Sequence, residues 1–268
     1  MDYKYPTPQL LFKAICNAIR SKTGNSDEIP HQNIPDELDS IIIDEEEYNI
    51  EMQRFIDIIE GTSFVNDRIT TIKNRLFSNC TSLTTINLPE CTTLGYQAFM
   101  NCTNLTTVNL PECTRIKEDT FINCTNLVTV DLPKCTTIES NAFANCTSLT
   151  TIDLPECVDL GTWGPRVSEM SVFAYCTNLT TVNLPKCTLF GSGEFYNCTN
   201  LATVIFGADQ MIEFGNIFDN SSIADGTGCI YVPDNLVDEY KSTYSSKNYQ
   251  FKPLSELPSN LKEEYGYE

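Results

Sequence analysis

Thirteen cysteines and one histidine pose the first chemical question about this chain. Thiolates bind zinc, form disulfides and attack electrophiles, and each role needs its own neighbourhood. Eight cysteines fall eleven residues apart, at Cys80, Cys91, Cys102, Cys113, Cys124, Cys135, Cys146 and Cys157, and the beat resumes at Cys176, Cys187 and Cys198. No Cys-x-x-Cys pair occurs and His31 is the only histidine, so neither a zinc ligand set nor the base of a cysteine nucleophile is spaced into the chain. Two contexts alternate along the beat. One is Asn-Cys-Thr-x-Leu, as in Asn101–Leu105, and the other is Pro-Glu/Lys-Cys-Thr, as in Pro111–Thr114, so the true period is 22 residues. Side chains one period apart would stack in parallel, which suits a disulfide poorly. The expectation is two ladders of buried thiols serving as small apolar core residues, with no metal and no cofactor. Asn-Cys-Thr also matches a glycosylation acceptor, but Asn and Thr are expected to serve the turn beside each cysteine.

Other residue types could bind rather than react. Asp131 and Asp153 stand one repeat apart and form a carboxylate pair, expected to be solvated rather than catalytic. No Gly-rich phosphate loop and no Gly-x-Ser-x-Gly motif occurs, and the chain is not expected to be an enzyme. Thr107, Thr129, Thr151 and Thr181 form one row, and Asn109, Asp131, Asp153 and Asn183 form the next. A polar groove for a glycan or protein is one reading of these rows. The other is that β-branched Thr suits strands and Asn or Asp keeps the face soluble. The single break in the beat is an insertion within 158–172, VDLGTWGPRVSEMSV. It carries Trp163 and Arg166, types favoured at binding hot spots, and is expected to emerge as a loop.

These residues are positioned by apolar columns. Leu83, Leu105, Leu127 and Leu149 recur at the 22-residue period, as do Ile86, Val108, Val130 and Ile152, then Leu88, Leu110, Leu132 and Leu154. An aromatic column follows at Phe77, Phe99, Phe121, Phe143, Phe173 and Phe195. The pattern L-x-x-L-x-L-x-x-N/C-x-x-L is the leucine-rich-repeat signature. It predicts a repeat solenoid, a right-handed coil with short parallel β-strands in which 86 and 88 point inward and 87 outward. Pro89 ends the strand, and the Cys91–Asn101 half returns as a short helix or 3₁₀ segment that brings Phe99 into the core. A degenerate first repeat spans 58–79. Ile230–Val232 reads as a last strand, Asp234 as the cap of a helix with Val237, Tyr240 and Tyr244 on one face, and the tail from Glu256 as loose. Ahead of the repeats, 8–23, a segment from Pro35, and 47–60 read as helices of a small α-helical module. The expected organisation is 1–57 helical docking module, 58–233 solenoid, and 234–268 helical cap and tail.

Charge excludes some partners. A formal net charge of −19 and a pI near 4.3 argue against nucleic acid or anionic membrane, because phosphate binding needs a positive footprint. No apolar run reaches the length of a membrane span, and a soluble chain without leader or anchor is expected.

Two resemblances extend this reading. Asn-Cys-Thr-x-Leu, the Leu-Pro at 88–89 and the Ala-Phe at 98–99 and 142–143 resemble BspA-like leucine-rich repeats, over about 58–233. That family commonly carries an apolar residue where this chain has Cys91, Cys113 and Cys135, which supports the thiol as core filler. IYVPDNLVDEYKS, from Ile230, resembles the terminal cap of many such chains. The segment Leu11–Ile41, with Ala18-Ile19-Arg20-Ser21-Lys22-Thr23-Gly24 at its heart, resembles a short N-terminal module of tailed-phage and prophage structural proteins. That resemblance implies a virion-associated protein made in the host cytoplasm, attached to other virion proteins by its N-terminal helices and recognising a host-surface protein or glycan through its repeats. A structural spacer or assembly protein, and an adhesin of the bacterial cell surface, are the alternatives, and a homo-oligomer stays open.

Overall fold

The computed structural model describes residues 63–65, 67–161 and 171–267. The expected front helices, the Ala18–Gly24 motif, Trp163 and Arg166 lie outside the described residues.

Each coil contributes a longer strand and then a two-residue strand. In chain order these are β1 (Ser63–Val65) and β2 (Thr71–Ile72), β3 (Thr85–Asn87) and β4 (Thr93–Leu94), β5 (Thr107–Asn109) and β6 (Arg115–Ile116), β7 (Thr129–Asp131) and β8 (Thr137–Ile138), β9 (Thr151–Asp153) and β10 (Asp159–Leu160), and β11 (Thr181–Leu184) and β12 (Leu189–Phe190). Then follow β13 (Thr203–Phe206), β14 (Cys229–Val232), helix α1 (Val237–Thr243), β15 (Gln250–Pro253) and helix α2 (Ser259–Tyr265). All pairings are parallel and in register with the repeat, for example Ile86 with Val108 and Val182 with Val204. The result is a parallel β-solenoid of about eight turns.

The core follows from the columns. Phe77, Phe99, Phe121, Phe143, Phe173, Phe195 and Phe218 form one offset stack with neighbouring centroids 5.3–5.7 Å apart. Each ring buries apolar surface that its own coil cannot cover, at about 2–3 kcal/mol per ring. The two expected thiol ladders are present as free cysteines, buried at every beat position. They do more than fill space. In one ladder each thiol donates to the Phe carbonyl of the preceding coil, as Cys124 Sγ to Phe99 O at 3.3 Å and Cys198 Sγ to Phe173 O at 3.1 Å. In the other each thiol donates two residues ahead, as Cys113 Sγ to Arg115 O at 3.3 Å. Burial in turn raises the Cys124 and Cys198 thiols to about 12.

The return half of the coil is not the helix expected for Cys91–Asn101. It is the two-residue strand Thr93–Leu94 and then tight turns with two left-handed residues, Gln97 at φ 55° and Asn101 at φ 60°. The reason is stacking. Gln97, Phe99 and Asn101 donate their N–H groups to Glu118, Thr120 and Ile122 of the next coil, and Met100 and Cys102 close i−3 turns on Gln97 and Phe99, so the i−4 pattern of a helix cannot form. Asparagine tolerates the left-handed region better than other non-glycine residues, which accounts for Asn before Cys in the repeat, as expected for a turn.

The C-terminal end departs further from expectation. β14 is not the last strand, because β15 pairs with it in parallel from Cys229↔Gln250 to Val232↔Pro253. Asp234 does not cap a helix with its side chain; its Oδ1 accepts from the Ser255 N–H at 3.0 Å and so ties the strand ends together. Tyr240 and Tyr244 of the α1 region do close the final coil, their hydroxyls accepting from the N–H groups of Ile212 and Phe214 at 2.9 and 2.7 Å. Beyond Glu256 the chain is ordered rather than loose. Leu257 is buried with Ile205 and Tyr231, and Leu254, Leu261, Tyr265 and Tyr267 pack against that cluster.

The candidate binding face

The outward sides of the longer strands form one polar face, and β-sheet periodicity puts the expected rows there. Thr107 and Asn109 are half-buried; Thr129, Asp131, Thr151 and Asp153 are exposed. Thr181 and Asn183 are withdrawn from the open row, at 9% and 2% exposure. The C-terminal tail lies over β11, β13 and β14 and covers Asn183; the Tyr267 hydroxyl donates to Asn183 Oδ1 at 3.0 Å. The spacing Leu257, Leu261, Tyr265 is the i, i+4, i+8 signal of an amphipathic helix, and it was the clue to this docking in the sequence.

Hydrogen bonding divides the face. Asn109 Nδ2 donates to Asn87 Oδ1 at 2.8 Å, and Asn183 Nδ2 donates to Asp153 Oδ1 at 2.8 Å. Between them the ladder fails. Asn109 Oδ1 is buried without a partner among the described residues, because the next rung is Asp131, a carboxylate that cannot donate. Asp153 follows, again a carboxylate. Three successive rungs therefore offer only acceptors. The sheet is interrupted at the same place: β1-β3-β5-β7 form one sheet and β9-β11-β13-β14-β15 another, whereas the two-residue strands run on through β6-β8-β10-β12. Like charges directly opposite each other weaken strand pairing, and the Asp131–Asp153 juxtaposition falls at the split.

Electrostatics sharpen this picture. Partial burial raises the Asp153 carboxyl above the ordinary range; the nearby Glu264 and Asp131 carboxylates add to the rise, and the Asn183 amide opposes it. Tyr267 is pushed up to about 12, first by burial and then by Asp153. Cations are scarce on this face. Lys134 and Lys186 sit at its rim, each 2.6 Å from a glutamate of the preceding coil, Glu112 and Glu156. These exposed pairs contribute about 0–1 kcal/mol each. Among the described residues no group of three or more His, Cys, Asp or Glu side chains is arranged to hold a metal ion. The face can accept hydrogen bonds and attract positive charge.

A stacked parallel solenoid with an exposed strand face defines a repeat scaffold of the leucine-rich class. The chain belongs to the BspA-type leucine-rich repeat family, whose model matches in six copies over residues 48–163, 93–224 and 169–252. Leucine-rich repeat scaffolds are typically non-enzymatic and commonly bind other proteins. No curated protein matches the chain. Among solved structures it is similar to a leucine-rich cell surface protein of Faecalibacterium prausnitzii, at 25% identity and a TM-score of 0.40, over 55% of this chain and 45% of that one. It is also similar to a leucine-rich repeat protein of T. pallidum, at 22% identity and a TM-score of 0.47, over 72% of this chain and 86% of that one. An internalin of Listeria monocytogenes shares 13% identity with a TM-score of 0.43, over 87% of this chain and 60% of that one. The chain thus spans less than half of the F. prausnitzii protein.

Proposed function

We propose that this chain is a non-enzymatic binding protein of a phage particle, and that the open half of its polar face recognises a basic segment of a host-surface protein. The observation that carries this reading is the pair of exposed carboxylates one coil apart, Asp131 and Asp153, at the place where the sheet divides. A Lys or Arg side chain laid across Asp131 and Asp153 pairs with both carboxylates and meets a chain of net charge −19. The tail on the other half of the same face supports a polypeptide as the occupant, since a peptide already lies there. Carriage on a particle rests on the resemblance of Leu11–Ile41 to phage structural proteins.

The test is adsorption of fluorescently labelled full-length protein to a panel of bacterial cells, read by flow cytometry at low and high salt. Asp131→Asn together with Asp153→Asn turns the acceptor rungs into amides that can continue the ladder. The expected result is loss of adsorption with the fold retained, and weaker adsorption of the unaltered protein as salt rises. Equal adsorption by the double variant would overturn the assignment of this face. In parallel, a phage carrying a chain without residues 1–60 should assemble particles that lack the protein; normal incorporation would refute attachment by the front segment.

A further inference from the structure

A second feature lies on the turn edge of the coil, away from the polar strand face. The left-handed position before every second beat cysteine is asparagine at Asn79, Asn101, Asn123, Asn145 and Asn197, but Tyr175 occupies it in one coil, with φ 62°. A bulky residue is disfavoured in that region, and residues held there against their preference tend to mark functional sites. The asparagine amides form a ladder: Asn101 donates to Asn79 at 2.8 Å, Asn123 to Asn101 at 2.8 Å, and Asn145 to Asn123 at 2.9 Å. Tyr175 ends it. Among the described residues nothing donates to Asn145 Oδ1, and the Asn197 side chain has no partner.

The Tyr175 ring does not retreat into the core. It is 39% exposed and meets Tyr196 edge to face, with centroids 5.6 Å apart and planes at 82°. Tyr196 in turn ends a ridge whose earlier rungs are Met100, Ile122, Ala144 and Ala174. Two aromatic rings therefore meet at one point of the edge. An amide acceptor lies one rung before them and an amide donor one rung after, about 10 Å apart at the spacing of parallel rungs.

We propose that Tyr175, Tyr196, Asn145 and Asn197 form a carbohydrate subsite for a neutral pyranose that presents an unsubstituted C–H face, such as β-linked glucose or N-acetylglucosamine. The C–H groups of that face are weakly positive and stack on the negative face of an aromatic ring. A sugar hydroxyl both donates and accepts; one donates to Asn145 Oδ1 and a second accepts from Asn197 Nδ2. The acidic chain disfavours sulfated or sialylated sugars. This subsite is separate from the polar strand face, and either can fail without the other.

The experiment uses the full chain with cellotriose and chitotriose, by saturation-transfer NMR and calorimetric titration, against Tyr175→Asn and Tyr196→Ala. Tyr175→Asn returns the rung to the residue of the repeat and is expected to fold, because the amide ladder then runs unbroken. The unaltered protein should bind one of the two sugars with a Kd of about 1 mM or tighter, as one stacked ring with two hydrogen bonds allows. Tyr175→Asn should bind at least about tenfold more weakly while melting no lower, a tenfold loss being about 1.4 kcal/mol. Absence of saturation transfer to both sugars at about 10 mM ligand, or binding by Tyr175→Asn equal to that of the unaltered protein, would overturn the proposal. Adsorption to cells through the strand face would be untouched by that failure.

Discussion

Replacing Glu194 with Gln should stabilise this protein above neutral pH and leave it no more stable near pH 5. Each residue before a core Phe is small or apolar in the earlier coils, at Ala98, Ala142 and Val172, yet Glu194 stands before Phe195 and is 1% exposed. Room for it comes from Gly161 and Gly191, where an added Cβ would collide with its carboxylate. Its Oε2 accepts from the Val172 N–H at 2.8 Å. Burial pushes the carboxyl up from an ordinary 4.5 to about 8; the Val172 N–H opposes the rise, the buried Asp159 adds to it, and the Gly191 N–H opposes it. In the unfolded chain the same group titrates near 4.5, so between 4.5 and about 8 the folded state holds a proton that the unfolded state has released. The contribution to stability is therefore complete below pH 4.5 and is lost as pH rises toward 8. At about 1.4 kcal/mol per pH step, about 3 kcal/mol has gone by pH 7. Gln cannot ionise, so it removes this slope. It keeps an acceptor for Val172 but brings an N–H₂ toward the Gly191 N–H, a cost of about 1 kcal/mol at low pH. Urea unfolding at pH 5, 6, 7 and 8 reads the difference between the two proteins, and other titrating groups cancel in the comparison. The two stabilities should cross at about pH 5. A difference that stays constant across this range would refute a neutral, buried Glu194.

Three further outcomes follow from the fold. Removal of residues 257–268 should uncover Ile205 and Tyr231, raise binding of a hydrophobic dye, and cost about 2–4 kcal/mol in urea unfolding; unchanged dye binding would contradict the docked tail. Maleimide at pH 7.5 should modify Cys229 in the native protein and leave Cys113, Cys124 and Cys198 untouched by peptide mapping, since burial holds these at about 11, 12 and 12. With the thiol pKa raised in the fold, their share of stability is present below pH 9 and falls as pH climbs toward 12. Asn123→Ala removes amide bonds to both Asn101 and Asn145 and puts alanine at φ 61°, for about 2–3 kcal/mol, whereas Lys134→Ala should cost less than about 1 kcal/mol; equal losses in chemical denaturation would refute the amide ladder as a structural support.

Much of the architecture was legible because the repeat is nearly exact in its apolar positions. Columns at Leu83, Ile86, Leu88 and Phe99 leave only one way to bury every stripe, which is to stack coils in register. The cysteine beat was readable as core for the same reason. The return half of the coil was misread because residues such as Ala98 and Phe99 carry no mark that separates a helical turn from a stacked one. That choice belongs to the neighbouring coil, which accepts the N–H groups that a helix would have kept. The two-residue strands, paired as β2-β4 and as β6-β8-β10-β12, were missed on the same ground: two residues are too short for any periodicity. The rows of Thr and Asn were placed on the correct side of the strand, but their alternation could not say which rungs stay open.

The sequence by itself determined the period, the solenoid and the identity of the core, since those follow from side-chain chemistry repeated at fixed spacing. Only the tertiary structure decided what each rung presents. Asn183 is covered because a tail residue 84 positions away lies down on it. Asp131 and Asp153 face each other where the sheet divides, and Tyr175 interrupts a ladder that exists only across coils. Each of these rests on contacts between distant segments, and such contacts are settled by packing, not by local preference.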